Sequence, residues 1–445
     1  MKTVSILALL VTAGWAADGE IGPTPLQLTL KRAVEIATSK EGNTNLQLAA
    51  EALKQSQSRA NEARASLLPD VESSFTDQSR TENLAALGIG VRTIPIPGFV
   101  FPTFVGPFTT TDARITGQQS VFDFSSIRRF QASKAGVAAA RSDVDGTAEQ
   151  VAAQVARAYL AAVKADADVE TAQANVDLSQ ALLKQSDDEK AAGTGTGIEV
   201  TRARVQLAND RQHLVEALNA RKAGHLRLLR AMNARLDTEL QLTDKLGYEP
   251  VDAVILQQAR AEALQDRPDY KAQQERERNA ELSASATKME RLPTIAAFGD
   301  YGSIGTGLDS SLPTRTYGIS VKVPLFDGAR REARRAESAS QYRAEKTRTA
   351  DLKQQIELDV RLALDSLASA DEEVKVAKEG LGLSENELAQ ARRRYDAGVA
   401  AGVEVTDAQT RLERARDNQT AALYNYNVAR IDLAQAMGRV RSTVH

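Results

Sequence analysis

The sequence runs to 445 residues, 56 of them Lys or Arg and 59 Asp or Glu, for a net charge of −3. No excess of positive charge is available for nucleic acid, and the absence of cysteine rules out a disulfide framework and an N-terminal lipid-acceptor thiol. An aromatic content of 4% is low for an enzyme core, and the abundance of Ala, Gln, Glu, Arg and Leu is that of long helices.

Residues 1–16 read as a secretory signal peptide. Lys2 is basic, 4–11 is apolar but for Ser5, and Gly14 and Ala16 set small residues at −3 and −1 of a cleavage site after Ala16. The alternative is a short buried helix. No later segment approaches about 18 uninterrupted apolar residues, so membrane insertion would require strands of a closed barrel.

A first structural repeat is expected over 17–233. Short helices are predicted at 29–38 and 45–67, the second capped by Asn43 or Thr44. A hairpin over 71–122 pairs 71–79 with 112–122, and Pro69 marks the change from helix to strand. Its apolar tip, 84–108, is rich in Pro and Gly. Such a loop either plugs a barrel mouth or docks on a membrane surface, or else packs as a plain loop.

The long helix 126–190 contains no Pro and only two Gly, and Val151, Val155, Ala158, Tyr159, Ala162 and Val169 recur at helical spacing. It would be ~100 Å long. Compact domains do not use such helices, which leaves a coiled coil or a barrel of helices packed side by side. The turn from Gly193 to Gly197 lacks a following Lys-Ser/Thr and a preceding strand, so it reads as a helix C-cap and reversal rather than a phosphate loop. A return helix, 199–236, follows.

The connection 234–267 holds a break at 244–251, with Gly247 and Pro250, and a short helix at 254–264. The second repeat, 268–445, opens with Pro268 at the first position of a helix reaching Arg291. Hairpin 294–323 follows, in which Tyr317, Ile319, Val321 and Val323 alternate with polar or small neighbours. Then come long helix 329–396, the turn from Gly398 to Gly402 and return helix 404–437. Two isolated hairpins would be marginal in water, and a barrel shared among subunits would supply the missing partner strands. In both repeats two shorter helices stacked end to end would match one long helix.

The halves align without a gap at an offset of 205. Gly193 answers Gly398, Glu199-Val200-Thr201 answers Glu404-Val405-Thr406, and Leu207, Arg211, Leu218, Leu228 and Met232 answer Leu412, Arg416, Leu423, Leu433 and Met437. This is an internal two-fold repeat of a whole structural half.

Two helical halves, each with a hairpin and a glycine turn, resemble the TolC outer-membrane efflux family across the chain beyond residue 16. The most specific stretch is Arg394-Tyr395-Asp396-Ala397-Gly398 followed by Glu404-Val405-Thr406-Asp407-Ala408. It is similar to the family's Tyr-x-x-Gly…Asp-Val-Leu-x-Ala tip motif, with Glu and Thr in place of the first Asp and the Leu. The resemblance implies a mainly α fold with membrane β: a homotrimer with four strands per subunit in one twelve-stranded β-barrel, continued by a long α-helical barrel. It implies an outer-membrane location with a periplasmic extension, an equatorial helical belt that includes 234–267, a periplasmic adaptor protein as partner, and indirectly an inner-membrane transporter. It places Glu199, Tyr395, Glu404 and Asp407 at the periplasmic gate, and Gly193, Gly197, Gly398 and Gly402 in the adaptor-docking turns. Ala400 stands where the family carries an arginine, which leaves Arg202 or Arg394 to close the gate.

His213, His225 and His445 are scattered, and no nucleophile elbow, dinucleotide fingerprint or metal spacing is present. Neither enzymatic activity nor a cofactor is expected. The alternative to a passive export channel is a soluble periplasmic coiled-coil scaffold or adaptor.

Overall fold

A computed structural model describes residues 26–39, 41–88, 102–251 and 255–444. The expected signal peptide and the central part of loop 84–108 lie outside the described residues. In chain order the elements are β1 (Leu26–Leu28), α1 (Leu30–Thr38), α2 (Thr44–Ala65), β2 (Asp70–Asn83), β3 (Phe104–Phe122), α3 (Phe124–Ala191), α4 (Gly197–Ala231) and β4 (Leu240–Leu242). These are followed by α5 (Leu256–Asp266), α6 (Pro268–Met289), β5 (Thr294–Gly305), β6 (Leu312–Lys322), α7 (Arg330–Asp396), α8 (Gly402–Ala436) and α9 (Val440–Thr443). Hairpin, long helix and return helix thus occur twice in the same order.

The helices start where the local chemistry supplies a cap. The Asn43 side chain accepts from the Asn45 N–H at 2.8 Å, and Asp123 accepts from Ser125 and Ser126 at 2.9 and 3.2 Å. Pro268 is the first residue of α6, where its missing N–H is of no consequence. At ~1.5 Å per residue α3 and α7 are each about 100 Å long. The shorter helices lie beside them: α2 and α4 along α3, α6 and α8 between α3 and α7. One layer therefore runs α2–α3–α6–α7 near the sheet and α4–α3–α8–α7 at the far end, with the α2/α4 side and α7 at its two edges.

The strands form one antiparallel sheet in the order β2-β3-β5-β6. Its register puts Val71, Phe75, Ile115, Tyr301, Tyr317, Ile319 and Val321 on one face, all exposed. Ser74, Thr76, Gln78, Arg114, Thr116, Gln118, Asp300 and Thr314 occupy the other. Arg114 pairs there with Asp112 at 3.3 Å and with Asp300. The first face is mainly apolar, with Ser73 and Arg315 among its members, and the second mainly polar, with Phe298 among them; such a bias is the pattern of a sheet between lipid and a watery lumen. No described helix is long and apolar enough to cross a membrane.

Three features differ from the sequence reading. The second strand of the first hairpin begins at Phe104 rather than 112, and Val71 pairs with Gly117 while Ser79 pairs with Thr109. The strand extends through the Thr109-Thr110-Thr111 run, whose β-branched side chains favour extended backbone. Helix α4 ends at Ala231 rather than 236. Asn233 takes a left-handed φ of 56°, and the Ala234 N–H bonds the Leu229 carbonyl at 2.9 Å. The same closure ends α8, where its counterpart Gly438 has φ 73°. Asn performs the glycine's role, which is why no glycine marks the stop.

The third difference is β1 pairing in parallel with β4, Leu26 opposite Leu240. This short sheet caps the main core, in which Leu28, Val151, Val155, Tyr159, Leu228 and Met232 are buried together. The Tyr159 hydroxyl lies 2.9 Å from both the Leu28 carbonyl and the Asp244 carboxylate, which also accepts from the Leu30 N–H at 2.7 Å. Burial, with Asp244 adding to it, pushes the Tyr159 hydroxyl up so that it stays protonated.

Candidate functional site

The end of the molecule farthest from the sheet is built from two helix reversals, one per repeat. Each long helix closes in a Schellman motif. In α3 the Gly193 and Thr194 N–H groups bond the Lys190 and Glu189 carbonyls at 3.1 and 3.0 Å. In α7 the Gly398 and Val399 N–H groups bond the Tyr395 and Arg394 carbonyls at 2.8 and 3.0 Å. Gly193 and Gly398 sit at φ 78° and 70°, where a side chain is strained. Gly197 and Gly402 are the first residues of the return helices.

The starts of those helices differ. In the first repeat the Glu199 carboxylate accepts from the Thr196 backbone N–H at 2.8 Å and from its hydroxyl at 2.9 Å, forming half of a capping box. In the second the N-cap is Ala401, which has nothing to offer. Gly402, the first residue of that helix, lies beside Glu199 of the other repeat on the lining of one cavity. The Thr196 donors first, then Gly402 and the Arg202 charge, hold the Glu199 carboxyl below the ordinary glutamate range.

Tyr395 crosses from α7 to α3, where its hydroxyl donates to the Glu189 carboxylate. Partial burial, then Glu189, pushes the phenol up and keeps it protonated. Beside it the Gln185 amide donates to Asp396 at 3.2 Å. Glu199, Tyr395 and Gly402 line a cavity of about 40 Å³ together with Leu182, Gln185 and Val405. Glu404 is not part of it: its carboxylate lies 3.1 Å from the Arg394 guanidinium in an exposed pair. Asp407 is exposed, with no ion pair among the described residues. Of the four sequence-predicted gate residues, then, two line one cavity and two are exposed on the chain. Arg394, one of the two cations that could stand in where Ala400 replaces an arginine, is engaged within its own chain.

Sequence reasoning missed Glu189 and Gln185. A signal was present: Asp187, Asp188 and Glu189 crowd the last turn of α3, where the negative end of the helix dipole disfavours carboxylates. An acidic helix C-terminus suggests a partner outside the helix.

The sequence profile of the outer membrane efflux protein family matches residues 36–234 and 259–439. The chain is 25% identical over 419 residues to the pyoverdine export outer membrane protein OpmQ of Pseudomonas putida, covering 92% of this chain and 85% of that protein. It is 23% identical over 323 residues to the alkaline protease secretion protein AprF of Pseudomonas aeruginosa, covering 70% of this chain and 66% of AprF. The fold matches the Campylobacter jejuni CmeC outer membrane channel with a TM-score of 0.77 at 16% identity, over 92% of this chain and 85% of CmeC. The chain belongs to the outer membrane efflux protein family.

Proposed function

We propose that three copies of this chain form an outer-membrane exit duct of a tripartite efflux or type I secretion system. Each copy contributes β2-β3-β5-β6 to a twelve-stranded barrel, and the helices continue as a tunnel into the periplasm. The duct does no chemistry. Energy comes from an inner-membrane transporter, and a periplasmic adaptor opens the tip by shifting a closed–open equilibrium.

The observation that carries this reading is a pair of edges, one on each side of the layer, that have no partner within the chain. Strands β2 and β6 each have one neighbour in the subunit. Ile198 and Val205 on α4, and Leu362, Val376 and Leu383 on α7, are exposed apolar residues spaced by seven or its multiples. Heptad spacing is the seam of a helix that packs on another. The two stripes lie on opposite edges, so head-to-tail repetition covers both and closes a ring. A soluble scaffold would leave the apolar sheet face in water.

Within this reading the tip is the gate. Glu199 and Tyr395 hold the two repeats of one subunit together, while Glu404 and Asp407 from three copies form an acidic ring that favours cations. The turns at Gly193, Gly197, Gly398 and Gly402 are the docking points for the adaptor. Electron microscopy of the detergent-extracted protein tests the reading. A threefold tube well over ~100 Å long is expected from helices of this length, and a monomeric or filamentous particle overturns it.

A further inference from the structure

The charges of the sheet sort by strand. On the two inner strands they pair within the chain, where Arg114 of β3 meets Asp112 and, across on β5, Asp300. On β2, Arg80 pairs with Glu82 at 3.0 Å. The other charges of the edge strands, Asp70, Glu72 and Asp77 on β2 and Arg315 and Lys322 on β6, are exposed and have no ion pair among the described residues. Asp77 accepts only from the Thr111 hydroxyl, at 2.8 Å. The free charge is thus acidic on one edge of the sheet and basic on the other.

The spacing matches as well. Asp70 and Asp77 are seven residues apart, and so are Arg315 and Lys322. An odd spacing puts the members of each pair on opposite faces. Asp77 and Arg315 lie on the face of Val71 and Tyr317, and Asp70 and Lys322 on the face of Arg114. β2 and β6 run in opposite directions, so a single antiparallel register sets Arg315 opposite Asp77 and Lys322 opposite Asp70. That register uses all 11 residues of β6 against 70–80 of β2, stopping at the bulge between Arg80 and Glu82. It also sets Tyr317 opposite Phe75 and Val321 opposite Val71 on the apolar face. One chain cannot make these contacts, because β3 and β5 hold the two edges three strand spacings, about 14 Å, apart.

We propose that Arg315 and Lys322 of one copy pair with Asp77 and Asp70 of the next, and that these two ion pairs, one facing lipid and one facing the lumen, set the register in which three copies close the barrel. The inference rests on the threefold barrel proposed above. The stagger it requires is that of a barrel. Straight across the sheet, Arg315 leads through Tyr301 and Ile115 to Ser73, and Asp77 lies four residues farther along β2. Four residues per copy is a shear of about twelve around twelve strands, which tilts the strands by about 35°, at the lower end of the range that barrels adopt. A stagger in the other sense carries Arg315 past the start of β2 at Asp70. A charge facing lipid alone is destabilising, and this register gives the acid and the base of the outer face to each other. Lone charges on an edge strand merely discourage pairing. Opposite charges at matched spacing select one partner and one register.

The chain has no native cysteine, so disulfides report the register directly. The full-length chain is assembled in lipid with Phe75→Cys and Tyr317→Cys, which face each other across the proposed seam at a separation a disulfide can span. Phe75→Cys with Pro313→Cys is the matching pair for closure without stagger. Oxidation is expected to yield a covalent trimer from the first pair and none from the second. A trimer from the second pair overturns the register, as does a trimer from neither while particle images show a threefold tube. Particles without threefold symmetry overturn the duct, and this pairing with it. Asp77→Arg or Arg315→Asp alone is expected to lower the temperature at which the trimer dissociates in detergent, and the two together to restore it. A double exchange no more stable than the single variants overturns the role of the ion pair, whichever cysteines crosslink.

Discussion

The two tip turns are copies in backbone and opposites in side chain. Both end a helix of more than sixty residues in a Schellman motif with glycine in the left-handed region, 205 positions apart. After that they part. The first turn supplies its own cap through Thr196 and Glu199, and the second, with Ala401 at the cap position, has no side-chain cap and starts beside the first turn's carboxylate. Backbone closure is a requirement each helix meets alone, so both turns keep it. Once two helix starts lie side by side, a carboxylate on one can serve the other, and the halves become interdependent.

Glu199→Ala tests that interdependence most severely. It removes the carboxylate that caps α4 and lies beside the start of α8, and is expected to destabilise the tip by about 2 kcal/mol, the upper end for a lost cap. Hydrogen exchange should show faster opening at the starts of both α4 and α8; a change confined to α4 breaks the comparison. The carboxyl is held below its ordinary value of 4.5, so its contribution is present above that value and is lost as the pH falls through the lower folded value. Acid should therefore loosen both helix starts in the parent but not in the variant.

Gly193→Ala and Gly398→Ala probe what the turns share. Each forces a side chain into the left-handed region at a cost of about 1 kcal/mol, and nothing near either Cβ position would obstruct it. Equal losses in thermal unfolding are expected. A large inequality would mean that one turn is held by contacts outside its own backbone.

Ala401→Ser should narrow the difference. It gives α8 a cap of its own and is expected to add about 0.5–1 kcal/mol. Combined with Glu199→Ala, it should recover part of the loss at α8 and none at α4, which a double-mutant cycle measures. The smallest effect on stability is expected from Glu404→Ala with Asp407→Ala, within about 0.5 kcal/mol because both side chains are exposed. The same pair should raise conductance and weaken cation selectivity in planar bilayers. Unchanged selectivity would remove these two residues from the pore lining.

Much of the fold was legible because its rules are local. Asn43 and Pro268 start helices for reasons contained within three residues, and the alternation around Tyr317 reveals a strand without reference to its partner. Where a local rule has two solutions the sequence is ambiguous. Asn233 closes α4 as Gly438 closes α8, and with no glycine to mark the stop the sequence reads as helix to 236. The parallel pairing of β1 with β4 left no trace in three-residue segments read separately.

The candidate site divides in the same way. Tyr395, Glu199 and the glycines could be named from the repeat and the resemblance, but Glu189, the Tyr395 partner 206 positions away, could not. Sequence alone determined the two long helices, their glycine closures, the two hairpins and the family to which they point. Only the tertiary structure decided which side chains meet: Glu199 with Gly402, Tyr395 with Glu189, Ser179 with Gln409. The physical reason is helical phase. Small departures from 3.6 residues per turn accumulate over nearly seventy residues, so the side presented at the tip depends on packing along the whole layer.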